Sequence, residues 1–393
     1  MTWQSRFGQH VMRSVPTPMA KLTHGEGAWV WDDAGTKYLD FLAGVAVNSL
    51  GHAHPVFVEA ISKQAAKVAH VSNYFTTEPN LELAERLVRL AGAAPEGRAW
   101  FGNSGAEANE AAFKLARLNG AAGTRPTILA LQNAFHGRTM GSLSLTGKPH
   151  MREPFEPMPA GVLHIPATIE ALHEFVSDQV AALFVEPIQG EAGVLELPDG
   201  YLEAARELTA AHGVLLIVDE IQTGAGRTGK WFGFQHSGIV PDAISVAKGI
   251  GGGFPIGGLV TFGRASELFQ KGHHGSTFGG NPLGTAVANA VLGEIERAGL
   301  VENAAARGEQ LRELIFGLGS PLIEGVRGRG LLLGIALTDT VAQDIVDAAF
   351  RHGLILNAAN ERTIRIAPPL IIAEAELGEF EARLRLVLAD VTR

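Results

Sequence analysis

The chain has 393 residues, of which 46% are hydrophobic and 19% charged, and this is the composition of a globular protein with a large core. Its formal net charge of −9, with no run of Lys and Arg, argues against a nucleic-acid or anionic-membrane surface. Cysteine is absent, which excludes disulfides and thiolate metal sites, and no apolar stretch has the length of a signal peptide core or a membrane span, so we expect a cytoplasmic protein without a metal site.

The hydrophobic pattern predicts the first elements in chain order. Residues 25–41 alternate around a turn at Asp33-Ala34-Gly35, which predicts a β-hairpin, and residues 55–70 and 81–90 have helical spacing. From about residue 98, short apolar runs alternate with helical segments, which favours a mostly parallel sheet covered by helices on both faces. The predicted strands are 99–101, 127–131, 162–165, 181–185, 214–218, 243–246 and 259–262, and the helices between them are 106–118, 169–176 and 201–211.

The pattern changes again after residue 281. Helices are predicted over 283–297, 301–316 and 341–352, and strands over 330–337 and 363–366. We therefore predict an N-terminal segment, 1–48, that joins a smaller α+β domain over 286–393, with a large α/β domain over 49–285. The glycines concentrate in loops, where ligands usually meet open α/β sheets.

The stretch VLLIVDEIQTGAGRTG contains a G-x-G-x-x-G pattern after an apolar run. A dinucleotide-binding loop needs the first glycine directly after the strand and an acid about 20 residues further on, and neither condition is met. What remains is Asp219 at the carboxyl end of a very apolar strand. For an isolated Asp the better interpretation is a helix cap or an ion-pair partner, so its role depends on the rest of the chain.

Two further motifs place reactive or anion-binding groups at strand ends. Lys248 follows an apolar run and precedes three glycines, so burial would favour the neutral amine that a Schiff base requires, although a surface lysine is the alternative. In GNSGAEANEAAFKLAR, Ser104, Gly105 and Ala106 begin a helix whose free N–H groups can bind phosphate, although plain capping is the alternative.

The remaining candidates can bind a ring or a carboxylate. Phe135 offers an aromatic face and Arg138 a bidentate fork, while core packing and a surface ion pair are the alternatives. Glu191 in a glycine-rich loop and Arg365 inside an apolar run each need a partner, and they can be each other's. An acid, a lysine, a phosphate cradle, a stacking ring and a carboxylate-binding arginine together match what pyridoxal phosphate needs from a protein.

On these motifs the sequence resembles the class III pyridoxal-phosphate aminotransferases of fold type I over essentially its full length. The motifs that carry the resemblance are GNSGAEANEAAFKLAR, FHGRTMGSLSLTG, EPIQGEAGV, DEIQTGAGRTG, AKGIGGGFPIG, GSTFGGNPL and IRIAPPLII. Within the family, the first two and GRGLLLGIAL are most similar to the group that acts on acetylornithine.

The resemblance implies a role for each matching residue. Lys248 would carry the cofactor and move a proton, and Asp219 would keep the pyridine nitrogen protonated. Gln222 would contact the phenolic oxygen, and Phe135 would stack on the ring. Ser104, Gly105 and Ala106 would hold the phosphate, with Thr277 of a neighbouring subunit, which implies a homodimer whose active site is shared. Substrate contacts would come from Arg138, Ser276, Glu191 and Arg365, the last two pairing or separating as substrates alternate.

The implied reaction transfers the terminal amine of N2-acetylornithine to 2-oxoglutarate, giving N-acetylglutamate 5-semialdehyde and glutamate. Ornithine, succinylornithine, succinyldiaminopimelate, 4-aminobutyrate and modified lysine are alternative donors. An aminomutase, a decarboxylase and a non-catalytic cofactor binder are alternatives of another class. Ser14 and Tyr74-Phe75 differ from residues common in relatives, and both regions are expected to line the substrate end of the site.

Overall fold

The computed structural model describes residues 1–120 and 123–392, and the strands in this part of the chain form four sheets. The strands are Leu22–Glu26, Trp29–Asp32, Lys37–Asp40, Arg98–Gly102, Thr127–Leu131, Val162–Ile165, Val180–Val185, Ile188–Gln189, Leu195–Glu196, Leu215–Asp219, Ala243–Val246, Gly257–Thr261, Ile323–Arg329, Leu332–Leu337, Leu354–Ile355, Asn357–Asn360 and Thr363–Ile366. The α-helices are Trp3–His10, Ala43–Ala46, Pro55–Ala65, Glu78–Ala91, Gly105–Asn119, Met140–Leu145, Pro149–Arg152, Ile169–Phe175, Tyr201–Ala211, Pro282–Arg297, Leu300–Gly317, Ala342–Arg351 and Glu374–Val391.

A seven-stranded sheet, called here the central sheet, forms the largest layer and confirms the predicted mostly parallel α/β architecture. Only Gly257–Thr261 runs antiparallel to its neighbours in this sheet. The order of the strands is Arg98–Gly102, Gly257–Thr261, Ala243–Val246, Leu215–Asp219, Val180–Val185, Thr127–Leu131 and Val162–Ile165. Each strand overlaps one of the seven predicted apolar runs, and the carboxyl ends of the parallel strands meet at one edge.

The apolar runs form strands because helices cover both faces of the central sheet. Leu216 and Val218 belong to one core cluster and Leu215 and Ile217 to the other, since successive side chains of a strand point to opposite faces. All five residues of Leu215–Asp219 are buried, which is expected of a parallel strand packed on both sides. Truncating one of these leucines to Ala is expected to cost about 2–5 kcal/mol of stability.

Two smaller sheets come from the ends of the chain. The N-terminal sheet contains the predicted hairpin, now with a preceding strand Leu22–Glu26, and it is completed by Leu354–Ile355 beside Lys37–Asp40. The C-terminal sheet has the order Ile323–Arg329, Leu332–Leu337, Thr363–Ile366 and Asn357–Asn360. This pairing supports the predicted joining of the two chain ends. The three-segment division remains a prediction, and its boundary at 285/286 falls inside helix Pro282–Arg297.

The glycine-rich loop after Asp219 anchors the central sheet to the C-terminal part. Arg227 in this loop is fully buried, and its guanidinium donates to the carbonyl oxygens of Leu331 and Pro368. Burial lowers the pKa of Arg227 to about 9. Gly226 has a φ of 85°, and a Cβ there would lie 3.2 Å from Val301 Cγ2. The glycines therefore serve a tight turn against the C-terminal part, and no dinucleotide loop is formed.

Crossing a membrane requires a long apolar helix, and none of the helices within residues 1–120 and 123–392 meets that requirement.

Candidate active site

A cavity of about 440 Å³ opens at the carboxyl ends of the central strands. It lies where ligands bind in open α/β sheets, because the loops that follow parallel strands meet there. Its wall includes these predicted site residues: Ser104, Gly105, Ala106, Phe135, Arg138, Glu191, Asp219, Gln222 and Lys248. Residues separated by more than a hundred positions in the sequence therefore share one cavity.

Asp219 ends strand Leu215–Asp219 and is only 4% exposed. Its Oδ2 accepts from Asn109 Nδ2 at 2.8 Å and lies 2.7 Å from His136 Nδ1, and its Oδ1 accepts from the N–H of Ile221 at 3.0 Å. Burial opposes the charged form of His136, but the hydrogen bond and charge of Asp219 prevail and raise the pKa of this histidine. The carboxylate is therefore held in one orientation, beside an imidazole whose protonated form it stabilises.

Lys248 follows the strand Ala243–Val246 and projects into the same cavity. Its φ of 46° is unusual for a non-glycine residue, and such backbone conformations cluster at functional sites. Burial lowers the pKa of the Lys248 amine, against the opposing charge of Glu191. Hydrogen bonds hold the strand-end groups around it in place, whereas its Nζ makes no hydrogen bond or ion pair with the described residues, so this amine is available to react.

The helix Gly105–Asn119 begins at the wall of the cavity. Ser104 caps it by accepting from the N–H of Glu107 at 3.1 Å, as the sequence predicted. A Cβ at Gly105 would lie 2.8 Å from Ile221 Cδ1, so a larger residue here would have to displace the Ile221 side chain. The first turn therefore presents backbone N–H groups to the cavity at the positive end of a four-turn helix, where a phosphate binds favourably.

Phe135 and Arg138 lie together on another side of the cavity. The guanidinium carbon of Arg138 is 5.6 Å from the centre of the Phe135 ring, and Arg138 is exposed toward the opening. The N–H of Phe135 donates to the buried Glu186 carboxylate at 3.0 Å, which fixes the backbone at this ring. Burial raises the pKa of Glu186 to about 7, although His136 opposes this shift.

Glu191 and Arg365 form the ion pair that the sequence allowed. Arg365 is 2% exposed and Glu191 keeps 28% of its side chain exposed, so the pair is desolvated on one side only. Arg365 also donates to Gln222 Oε1 at 3.3 Å and to Asn357 Oδ1 at 2.7 Å, while its Nε has no partner. Burial opposes the Glu191 carboxylate, but the Arg365 charge prevails and lowers the pKa of Glu191.

Other candidates lie outside the cavity wall in a single chain. Ser276 accepts from Asn103 Nδ2 at 3.0 Å, one residue from the phosphate cradle, and Thr277 is exposed to solvent. The expected lining of the substrate end by Ser14 and Tyr74-Phe75 is not found in one chain, where all three residues are exposed. The roles of Ser276 and Thr277 therefore remain predictions.

The sequence analysis missed three buried polar residues at the site, His136, Asn109 and Glu186. His136 lies inside the quoted FHGRT motif, but nothing in the motif shows that its imidazole contacts Asp219. Asn109 is a polar residue among buried alanines on helix Gly105–Asn119, and such a position could have been found from the helical spacing. Glu186 directly follows the buried strand Val180–Val185, the same signal that identified Asp219.

A strained turn beside the cavity was also not predicted. Asp40 organises it, since its Oδ1 accepts from the N–H groups of Leu42 and Ala43 and its Oδ2 lies 2.8 Å from His52 Nε2. The four residues of the turn have left-handed φ angles, namely 48° at Ala43, 64° at Gly44, 66° at Val45 and 60° at Ala46. The next residue, Val47, lines the cavity, so this turn shapes part of the cavity wall.

The central sheet and a strand-end cavity with lysine, carboxylate and helix N-terminus define a fold type I pyridoxal-phosphate transferase. The family model for aminotransferase class-III matches residues 11–388. An acetylornithine aminotransferase of Mycobacterium tuberculosis is 52% identical over 388 residues, which cover 98% of this chain and 96% of that protein. The chain belongs to the class-III aminotransferases and is a pyridoxal-phosphate-dependent enzyme.

Solved structures agree with this assignment. The ornithine aminotransferase of Toxoplasma gondii has a TM-score of 0.94 at 32% identity, covering 99% of this chain and 94% of its own. The N-acetylornithine aminotransferase of Stenotrophomonas maltophilia has a TM-score of 0.85 at 34% identity, covering 98% of this chain and 99% of its own.

The residues of the cavity fit pyridoxal phosphate. The cofactor needs an amine for attachment, an acid for the ring nitrogen and donors for the phosphate. Lys248 supplies an unpartnered amine with a lowered pKa, and Asp219 supplies a carboxylate held in place by Asn109 and His136. The helix start at Gly105 is close-packed against Ile221, which leaves its backbone N–H groups facing the cavity.

Proposed function

We propose that this enzyme transfers the terminal amino group of N2-acetylornithine to 2-oxoglutarate, producing N-acetylglutamate 5-semialdehyde and glutamate. The observation that carries this proposal is the Glu191–Arg365 ion pair, which lies at the cavity near the Lys248 amine. A paired guanidinium is compatible with a neutral acetylated end, and a separated one can receive the second carboxylate of glutamate. The relative from Mycobacterium tuberculosis, an acetylornithine aminotransferase, supports the acetylated donor. The reaction would then belong to arginine biosynthesis.

The cofactor end would work through a few fixed side chains. Pyridoxal phosphate supplies an electron-withdrawing ring that makes the proton on the amine-bearing carbon of the substrate more acidic. Lys248 attaches the cofactor and then accepts and returns that proton at its Nζ. Asp219 would keep a positive charge on the ring nitrogen, while the N–H groups of Gly105 and Ala106 and the Ser104 hydroxyl would hold the phosphate.

The other wall residues would orient the ring and the substrate. Phe135 would pack on the ring face, and the side-chain amide of Gln222 would donate to the phenolic oxygen. Arg138 lies at the exposed side of the cavity and binds a substrate carboxylate through its bidentate fork. Glu191 holds Arg365 while the amino donor with a neutral end is bound, and it releases Arg365 when a dicarboxylate enters.

The active unit would be a homodimer in the cytoplasm. Tyr74 is 93% exposed and Phe75 72% exposed, and Phe278 beside Thr277 is also exposed, which is a costly arrangement for an isolated chain. A second copy covering this surface would bring Thr277 to the partner's phosphate. Sedimentation should give twice the mass of one chain, and a monomer with full activity would contradict the shared site.

A donor panel tests the choice of substrate. With 2-oxoglutarate as acceptor, kcat/KM should be highest for acetylornithine among acetylornithine, ornithine, succinylornithine and 4-aminobutyrate. Ornithine is the second candidate, because the ornithine aminotransferase of Toxoplasma gondii has such a similar structure. If acetylornithine is among the weakest donors, the substrate assignment is wrong while the aminotransferase class stands.

A further inference from the structure

The turn that carries Glu191 has an unusual set of backbone contacts. It connects the short strands Ile188–Gln189 and Leu195–Glu196, and three successive carbonyl oxygens in it each accept a hydrogen bond from a side chain. These are Glu191 O from Lys148 Nζ at 2.7 Å, Ala192 O from Asn360 Nδ2 at 2.9 Å, and Gly193 O from Arg327 Nε at 2.8 Å. Water could satisfy carbonyls in an exposed turn, so fixed side-chain donors on all three indicate that the position of the backbone matters.

The donors come from both sides of the ion pair. Lys148 follows helix Met140–Leu145 beside the central sheet, while Arg327 and Asn360 belong to the C-terminal sheet that also carries Arg365. Arg327 in addition donates to Thr363 Oγ1 at 2.7 Å, two residues before Arg365. The turn that carries Glu191 and the strand that carries Arg365 are thus both held by residues of the C-terminal sheet.

The turn is closely packed at both Gly190 and Gly193. Gly193 has a φ of 117°, and a Cβ there would lie 2.5 Å from Asn360 Nδ2 and 3.0 Å from an Arg327 nitrogen. A Cβ at Gly190 would lie 1.8 Å from Gln222 Oε1. A larger residue at either position would have to displace Gln222 or the donors Asn360 and Arg327, and the three donors hold the turn at one distance from the cavity.

We propose that Lys148, Asn360 and Arg327 are positioning residues that fix the backbone of residues 190–194. The Glu191–Arg365 pair then opens by rotation of the Glu191 side chain over an immobile turn. This fixed turn sets how well the enzyme distinguishes a donor with a neutral end from glutamate. The inference deepens the proposed function and rests on it for the identity of the donor.

Lys148 has a second effect through its charge. It is half-buried, and burial lowers the pKa of its amine while the nearby Glu191 carboxylate opposes that shift. When the Glu191 side chain rotates away from Arg365, the Lys148 amine still lies beside the same turn. The released carboxylate therefore keeps a favourable electrostatic partner without movement of the turn.

The first test measures the backbone directly. The N–H groups of Gly193 and Val194 both donate to Gly190 O at 3.3 Å, so their hydrogen exchange reports opening of the turn. The exchange is measured in the holoenzyme. Asn360→Ala should speed exchange in a peptide covering 190–194 by roughly fivefold and Lys148→Met by roughly tenfold or more, since bonds from charged donors are stronger. Lys148→Arg should restore protection.

Asn119→Ala is the matched control, because Asn119 donates to Ala181 O at 2.7 Å and Gly213 O at 3.1 Å, outside the cavity. It should leave exchange over 190–194 unchanged. Unchanged exchange in both Asn360→Ala and Lys148→Met would overturn the proposal. Should Lys148→Met fail to fold, unchanged exchange in Asn360→Ala by itself would overturn it.

The second test measures selectivity. A mobile turn leaves Arg365 without a fixed counter-charge, so a neutral substrate end meets a desolvated cation while glutamate binds it. In Asn360→Ala, the ratio of kcat/KM for acetylornithine to that for glutamate should fall by roughly fivefold, with kcat for glutamate unchanged. An equal loss for both substrates would indicate a merely structural role and would also overturn the proposal.

The two proposals fail in different ways. If the wild-type enzyme does not use acetylornithine, the proposed donor is wrong, and the ratio is measured with the best donor of the panel. The exchange measurement needs no substrate, so it tests the positioning residues whatever the donor proves to be.

Discussion

The two ends of the cavity are built differently. Asp219 is held by Asn109 and His136, which come from a helix and a loop of the central sheet, and it is almost fully buried. Arg365 comes from the C-terminal sheet and reaches across to Glu191 and Gln222, which belong to loops of the large α/β part. One end is thus assembled within a single rigid layer and the other across two sheets.

This difference matches the two kinds of ligand, because the cofactor stays bound while the two substrates alternate. At the Asp219 end both carboxylate oxygens already have fixed partners, so the geometry is set before anything binds. At the Arg365 end the guanidinium Nε has no partner, and Glu191 is partly exposed. A group that must release its partner once in each catalytic cycle is better placed where solvent or substrate can replace that partner.

The largest expected effect comes from removing the reactive amine at the fixed end. Lys248→Ala should lower kcat by about 10⁴-fold or more, because both cofactor attachment and proton transfer are lost. Steady-state transamination and the visible absorbance of the bound cofactor measure this. Lys230→Ala, at an exposed lysine, is the control and should retain activity. Full turnover of Lys248→Ala would contradict the proposed mechanism.

The next effect tests the charge at Asp219 without changing the size of the side chain. Asp219→Asn should reduce kcat by roughly 100- to 1,000-fold, since a desolvated charge that stabilises the reacting state is removed. KM for both substrates should change little, because the substrate end is untouched. A large rise in KM with kcat preserved would show that the two ends are not independent.

A smaller effect concerns the pH dependence of stability. Burial raises the folded-state pKa of Glu186 to about 7, above its unfolded value, so this group makes the wild type lose stability as pH rises from about 4.5 to 7. Glu186→Gln removes this loss of stability, and the amide oxygen of the new side chain can still accept from the N–H of Phe135. Relative to wild type, the variant should gain up to about 3 kcal/mol across this window. Denaturant unfolding at pH 5 and pH 8 measures the free energy of unfolding of both proteins. A difference between variant and wild type that is the same at both pH values would contradict the raised pKa of Glu186.

The smallest effect concerns the adjustable end. Glu191→Gln should change the preference between acetylornithine and glutamate by roughly tenfold in favour of glutamate, because Arg365 loses the charge that neutralises it. kcat in the glutamate half-reaction should stay near wild type. Glu196→Gln, which removes the partner of Arg329 just after the turn, is the control. An unchanged preference in Glu191→Gln would contradict the proposal that Glu191 neutralises Arg365 when the amino donor is bound.

The same contrast explains how much the sequence could predict. All seven central strands and helix Tyr201–Ala211 were identified, because long apolar runs and helical spacing are local signals. Strands Ile323–Arg329 and Asn357–Asn360 were not, since both are rich in polar residues and exist through pairing with the apolar strands between them. Helices Trp3–His10 and Glu374–Val391, at the two ends of the chain, were also not predicted.

At the site, residue types at strand ends and the family resemblance identified groups that the structure brings to one cavity. They could not show which other side chains hold those residues in place. His136 and Asn109 contact Asp219 from 83 and 110 positions away, and the three donors to the Glu191 turn lie 43, 134 and 168 positions from the carbonyl oxygens that they contact. Such contacts depend on the packing of whole elements, for which a single sequence carries no local signal.

The closure of the N-terminal sheet has a consequence for synthesis of the protein. Leu39 and Phe41 donate their N–H groups to the carbonyl oxygens of Gly353 and Ile355, and these partners are translated long after the hairpin itself. The first hairpin therefore waits with an open edge while the central sheet can already form. A nascent chain that stops before residue 353 should be recognised by chaperones through this hairpin, because the strand that covers its edge has not yet been made.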